Sequence, residues 1–135
     1  MGLSSFRLNA MIAVTDMTRA EEFYEGKLGL SASRTDADGS KVYASGGDAS
    51  LVVYPSPDHA GRSTATLATW YVDDVEQMVD ELTANGVTFE QYEGVLESGF
   101  DYGTDEKGVS SRDGGGKVAW FKDPDGNIFS IEGDR

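Results

Sequence analysis

The chain has no cysteine, which removes disulfides, thiolate metal sites and cysteine nucleophiles at once and leaves the redox compartment undetermined. It has a single histidine, His59, placed in the polar connector 55–63 (PSPDHAGRS) rather than on a strand, and read as a solvated loop residue. No apolar run approaches the ~20 residues of a membrane span, and the first residues lack both a basic and an apolar leader region. A soluble cytoplasmic protein is therefore expected. Basic residues are scarce: eleven against twenty-four acidic ones, for a net charge of −13. Binding phosphate backbones or anionic membrane surfaces needs clustered Lys and Arg, so neither nucleic acid nor membrane is an expected partner. The acidity is explained either by a self-repelling, soluble surface or by attraction of a cationic ligand, and charge alone does not choose.

What is present is organised around residues 117–133, KVAWFKDPDGNIFSIEG, which read as two strands joined at Asp123-Pro-Asp-Gly-Asn127. Pro124 fixes φ, Gly126 and Asn127 accept positive φ, and the Asp side chains can bond the backbone ahead of them, so a tight hairpin is specified. A calcium loop counted from Asp123 would need Gly at its sixth position and Glu at its twelfth, where Ile128 and Asp134 stand. Gly114-Gly-Gly-Lys117 lacks the first Gly and the following Ser or Thr of a phosphate loop. It reads as a flexible loop feeding a strand.

Taken in order, 6–14 is a strand with Leu8, Ile12 and Val14 on one face and Asn9, Met11 and Ala13 on the other. Thr18-Arg-Ala-Glu21 has the form of a capping box, opening a helix whose apolar side is Ala20, Phe23, Tyr24 and Leu28 and which stops at Gly29. Strands follow near 30–35, 41–45 and 50–54. The pattern then restarts: a strand at 66–72, an N-cap at Asp74, a Val75, Met78, Val79, Leu82 helix face, a stop at Asn85-Gly86, a strand at 87–92, a glycine-rich segment 93–116 read as a lid, and the final hairpin. Val14-Thr-Asp-Met17 and Val72-Asp-Asp-Val75 mark the same strand-to-helix junction of two repeats.

Two β-α-β-β-β halves, with F-Y-x-x-x-L-G-L at 23–30 and W-F-K-D-P-D-G-N at 120–127, resemble the vicinal oxygen chelate superfamily of glyoxalase I, extradiol dioxygenases and bleomycin and fosfomycin resistance proteins. The resemblance covers essentially the whole chain. It implies one α+β domain over 1–135, with repeat one at about 6–56 and repeat two at about 65–134, forming a curved, mostly antiparallel eight-stranded sheet with helices outside and a cavity in its concave face. The metal-binding members place four ligands on that face, and the matching positions here are Asn9, Val52, Leu67 and Ser130. Val and Leu cannot ligate, and Asn and Ser are weak donors, so no metal and no cofactor is expected.

Alternation puts Asn9, Met11, Val52, Tyr54, Leu67, Thr69, Tyr71, Ile128 and Ser130 on the cavity face, with Trp120 placed there or in the core. This mostly apolar lining with a few polar groups suits a small organic ligand. Glu132, two residues beyond Ser130, would be usable as a general base if enclosed by Leu67, Ile128 and Tyr71. The first expectation is a metal-independent small-molecule binding protein of the bleomycin-resistance type. The alternative is an isomerase or lyase using Glu132, and a protein-binding module is the third reading, so catalysis is left open. A homodimer is compatible with the resemblance, since related proteins often pair edge to edge.

Overall fold

The computed structural model describes residues 2–99 and 101–133; Phe100, inside the glycine-rich segment, and Asp134, at the end of the second repeat, fall outside the described residues, as do the two terminal residues. Packing divides the chain into two compact units, one of residues up to 67 together with 123–127, the other of 68–122 together with residues from 128 onward. Among the described residues no helix is long and apolar enough to cross a membrane.

The first unit holds β1 (Asn9–Val14), α1 (Met17–Glu21), a π-helical turn (Glu22–Lys27), β2 (Ala32–Thr35), β3 (Lys41–Ala44) and β4 (Ser50–Pro55). Its sheet runs β1-β4-β3-β2, with β1 parallel to β4 and the other pairs antiparallel. After β5 (Thr66–Tyr71), where the boundary between the units falls, come α2 (Val75–Ala84), β6 (Val109–Ser111), β7 (Lys117–Lys122) and β8 (Ile128–Gly133). The second sheet runs β5-β8-β7-β6, the same order in the repeated half. The eight strands of the α+β architecture are thus hydrogen-bonded as two four-stranded mixed sheets.

Local chemistry explains most element ends. Asp16 caps α1, its carboxylate accepting from the Thr18 and Arg19 amides at 2.9 and 3.3 Å. The helix therefore begins two residues before the expected capping box, because an ionised Asp is a strong N-cap and answers the positive end of the helix. Asp74 caps α2 through the Gln77 amide as expected, and α2 ends at Asn85. Val75, Val79 and Leu82 are buried, and α2 packs on β7 and β8. In the first unit the π turn, closed by Leu28 N–H to the Phe23 carbonyl at 3.0 Å, buries Phe23 and Tyr24 side by side. Tyr24 lies against Tyr43 of β3, ring centroids 6.0 Å apart, and Lys41 of β3 reaches Glu21 and Glu25 at 3.1 and 3.0 Å.

Two expectations are corrected. No strand forms at 87–92: Val87 and Phe89 are buried, but the stretch contributes one isolated bridge, Phe89 to Phe121. Its alternation records burial rather than ladder pairing. The partner of β7 is instead β6, inside the segment read as a structureless lid. That segment is tied back on itself by Thr104, whose amide reaches the Tyr92 carbonyl at 2.9 Å and whose hydroxyl accepts from the Tyr92 amide at 2.8 Å.

The expected hairpin is present, with β7 and β8 in register from Lys117 opposite Gly133 to Lys122 opposite Ile128. Gly126 takes φ +90°, but among the described residues no non-glycine, Asn127 included, has positive φ. Asn127 works through its side chain. Its Nδ2 donates to the Ala13 carbonyl at 2.9 Å and its Oδ1 accepts from the Gly61 amide at 3.1 Å. A Cβ at Gly61 would collide with the Asp125 carbonyl, so a side chain there would break this approach. Asp123 is buried and accepts four hydrogen bonds, from the Tyr24 hydroxyl at 2.6 Å, Asn127 Nδ2 at 2.8 Å and the amides of Asp125 and Asn127 at 2.9 Å each. Asp125 binds the Thr15 hydroxyl at 2.6 Å and Arg19 at 3.0 Å.

Two predictions follow from Tyr24. Removing its hydroxyl takes one donor from a buried carboxylate, so Tyr24→Phe is expected to lower unfolding stability at pH 7 by about 1–3 kcal/mol, read as a lower urea midpoint with an unchanged slope. Burial first, and the Asp123 carboxylate second, hold the Tyr24 phenol far above its ordinary range. The folded chain keeps that proton after the unfolded chain loses its own near pH 10, so the contribution is complete below pH 10 and is lost as pH rises further. Stability should fall by about 1.4 kcal/mol per pH unit above pH 10 on this account. Tyr24→Phe should flatten that fall, and an equal slope in both proteins would refute the assignment.

Candidate functional site

Directly opposed residues of neighbouring strands point to one face of a sheet. In the second sheet the register sets Glu132 opposite Val118, Ser130 opposite Trp120, and Val118 opposite Ser110. These residues share the face away from α2, together with Ile128. The other face carries Val109, Ala119, Phe121, Phe129 and Ile131, all buried, with Trp70 beside Phe129 and Phe121 at centroid distances of 5.5 and 6.2 Å. Trp120 is thereby removed from that core. Its ring meets Tyr92 at 5.4 Å, and burial raises the Tyr92 phenol above its ordinary value, so this aromatic pair is neutral.

The polar groups on this face form two short chains. The Ser130 hydroxyl donates to Thr69 Oγ1 at 2.6 Å, and Thr69 Oγ1 donates to Glu132 Oε2 at 3.3 Å. Farther across, Arg112 Nη1 donates to Ser110 Oγ at 2.6 Å. Ser110 and Ser130 are 0% and 2% exposed. Arg112, Val118 and Glu132 border one open depression of about 440 Å³, with Tyr71 and Lys117 on its rim. Lys117 turns away toward α2, its Nζ 3.2 Å from Glu76 Oε2. A larger depression of about 730 Å³ beneath the 92–105 loop carries Glu93, Asp101, Asp105 and Asp113 and none of the residues expected from the sequence.

The sequence-expected residues are thus placed as follows. Thr69, Trp120, Ile128, Ser130 and Glu132 share the helix-free face of the second sheet. Leu67 and Tyr71 flank Thr69 on β5 but are 39% and 81% exposed, so they do not enclose Glu132. In the first sheet Asn9 stands opposite Ser50, Met11 opposite Val52 and Ala13 opposite Tyr54, on the face away from the buried Ile12, Val14, Leu51 and Val53. Val52 is buried, Met11 is exposed, and Asn9 and Tyr54 are half-buried. Asn9 Oδ1 is the one buried side-chain polar atom without a hydrogen-bond partner among the described residues.

The donor set does not fit a divalent metal. Val52 and Leu67 offer no donor, Asn9 a single neutral carbonyl, and Ser130 a hydroxyl already engaged with Thr69. Among the described residues, no three His, Asp or Glu side chains converge as a ligand set. His59 lies in its loop, Nδ1 2.8 Å from Ser56 Oγ, and is exposed.

Ser110, Arg112 and Tyr92 are the residues of this face that sequence reasoning misses. Ser110 and Arg112 depend on placing β6 at 109–111, whereas Tyr92 closes the 87–92 stretch and meets Trp120 of β7. Val109-Ser-Ser111 is too short to announce itself by periodicity, and the stronger alternation of Val87 and Phe89 draws the strand to the wrong stretch.

Comparison with known proteins agrees with this geometry. Solved structures with the same fold include UcmS2 (TM-score 0.71, 20% identity, 94% of this chain and 96% of that one). Others are TnmS3, an antibiotic binding protein from Streptomyces sp. CB03234 (0.69, 23%, 98% of each), and a glyoxalase/bleomycin resistance protein from Catenulispora acidiphila DSM 44928 (0.67, 19%, 95% and 97%). Among proteins of curated function, none matched the sequence. The family model of the Glyoxalase/Bleomycin resistance protein/Dioxygenase superfamily matches residues 8–131, from the strand that carries Asn9 to the strand that carries Ser130, and the chain belongs to that superfamily.

Proposed function

We propose that the protein binds a small organic molecule on the helix-free face of its second sheet, by hydrogen bonds and aromatic contact and without a metal. The observation that carries this reading is the chain from buried Ser130 through Thr69 to Glu132. A hydroxyl pair that orients a half-exposed carboxylate does nothing for a hydrophobic core, but it fixes the direction in which that carboxylate meets a ligand. Trp120 and Ile128 supply apolar surface beside it, and Tyr71 an exposed ring at the rim. Asn9, Met11, Val52 and Tyr54, with Leu67 at the start of β5, offer a comparable mix of amide and apolar groups in the first unit. TnmS3, which has this fold, is an antibiotic binding protein, and that supports an organic ligand here.

The second reading gives Glu132 a chemical role as general base of an isomerase or lyase. Thr69 engages Oε2 and leaves Oε1 for a substrate proton, which is the one observation in its favour. The two readings separate on turnover. Screening organic compounds by thermal shift should yield ligands that raise the melting temperature by mass action. Glu132→Gln should weaken the best of them about tenfold, or about 1.4 kcal/mol, by titration calorimetry. Binding without consumption of the compound supports the first reading; turnover lost in Glu132→Gln supports the second; affinity and turnover both unaffected would remove Glu132 from the site.

The metal-free part of the reading is tested separately. The purified protein, never exposed to chelator, should contain less than stoichiometric metal by elemental analysis. Saturating nickel, zinc, manganese or iron should leave its melting temperature in place, since a bound ion would stabilise the folded state. Stoichiometric metal would overturn it.

A further inference from the structure

Four strands stand at the ends of the two sheets, β1 and β2 in the first, β5 and β6 in the second. The outer edge of such a strand offers unpaired N–H and C=O groups, and proteins blunt it with a bulge, with charge or by keeping the strand short. β2 is blunted twice: its register shifts between Ala32 and Arg34, and Arg34 sits there as an ion pair with Asp36 at 2.7 Å. β6 has only three residues. β1 and β5 are six residues each, NAMIAV and TLATWY, with no charged side chain and no proline before the last position of either. β1 also keeps an unbroken register with β4. Large apolar side chains accompany both edges: Leu8, just before β1, is 87% exposed and Met11 58%, and Leu67 and Tyr71 of β5 are exposed as well. The acidic residues avoid the same two places. Twenty-four are spread over the chain, yet none falls within 1–15 or 59–72.

We propose that a second copy of this chain covers these two edges, β1 of each copy lying against β5 of the other. Charge selects the surface. Two copies at net charge −13 repel one another over most of their area, and the acid-free strips are where that repulsion is least. Length selects the pairing, since two six-residue edges match and leave no backbone group of either strand beyond the other. Symmetry selects the crossed arrangement. A strand pairs with its own copy only where the twofold axis passes through it, which serves one edge and leaves the other open, whereas crossed pairing closes both with a single axis. Leu8, Met11, Leu67 and Tyr71 then supply the apolar contact that two main-chain ladders alone would lack. The inference stands apart from the ligand-binding reading, because it concerns the strand edges and not the chemistry of the free faces.

The test uses the full chain. Light scattering on a sizing column should give twice the 14.5 kDa of one chain, and amide exchange in 9–14 and 66–71 should slow as the protein concentration is raised through the dissociation constant. Leu8→Lys and Leu67→Glu each bring a charge into an uncharged edge and should each weaken the dimer by at least about tenfold in sedimentation equilibrium. Leu8 is almost fully exposed, so its substitution should leave the circular dichroism spectrum unchanged. Mixing the two variants sets Lys against Glu across one of the two crossed contacts and should restore part of the dimer. Leu96→Lys, at an exposed apolar residue outside both strips, should leave association as it was. A single-chain mass at every concentration overturns the proposal. So does a dimer in which the exchange of 9–14 and 66–71 is independent of concentration, or one that Leu96→Lys disrupts as much as Leu8→Lys. If Leu8→Lys disrupts the dimer and Leu67→Glu leaves it intact, β1 meets its own copy and the crossed pairing is overturned.

Discussion

A buried carboxylate that no cation meets among the described residues is the constraint on which the first unit depends. Asp123 is 5% exposed and would be strongly destabilising if left unpaired. It is satisfied by four donors, and three of these lie within its own turn: the amides of Asp125 and Asn127 and the Asn127 side chain. The fourth, Tyr24, comes from the π-helical turn near the start of the chain. The turn therefore cannot reach its lowest energy until that helix has folded beneath it. Asn127 extends the same logic to the Ala13 carbonyl and the Gly61 amide, so residues one hundred and fourteen and sixty-six positions apart are joined by neutral hydrogen bonds. On a chain with net charge −13, neutral donors do what scarce cations cannot.

The two sheets divide their faces in the same way. In each, one face meets a helix and is filled by aliphatic and aromatic side chains; the other mixes polar with apolar groups, amide and hydroxyl in the first sheet and hydroxyl and carboxylate in the second. Because side chains alternate along a strand, neither face can be changed by shifting register without inverting the other. The repeat therefore fixes both core and candidate site at once. The same coupling accords with the shared fold of solved structures only 19–23% identical to this chain.

How much of this is legible in the sequence depends on whether a feature is local. Asp123-Pro-Asp-Gly-Asn127 announces the hairpin because turn chemistry is written in adjacent residues, and the grouping of Thr69, Ser130 and Glu132 follows from period-two alternation once their strands are placed. The role of Asn127 is not legible, because its side-chain partners lie sixty-six and one hundred and fourteen residues away. The N-cap is misread by two residues, since Thr18 and Asp16 are both acceptable caps and only the path of the chain decides between them. β6 is missed for a different reason: three residues make a strand only when a neighbouring edge is waiting, and three are too few to show a period on their own.

Ser110 and Ser130 are buried hydroxyls whose hydrogen bonds lead to charged groups. At fully buried positions facing Val118 and Trp120, alanine or valine would remove a polar group from the interior at little or no cost in packing. Each serine instead makes a 2.6 Å hydrogen bond that leads outward, one to a guanidinium and one through a threonine to a carboxylate. A group that needed only satisfaction could have found it in the backbone, as most buried hydroxyls do. These two face the half-exposed surface and hold charged groups in place there. Order on this face therefore runs from the buried hydroxyls outward to the charged groups at its border.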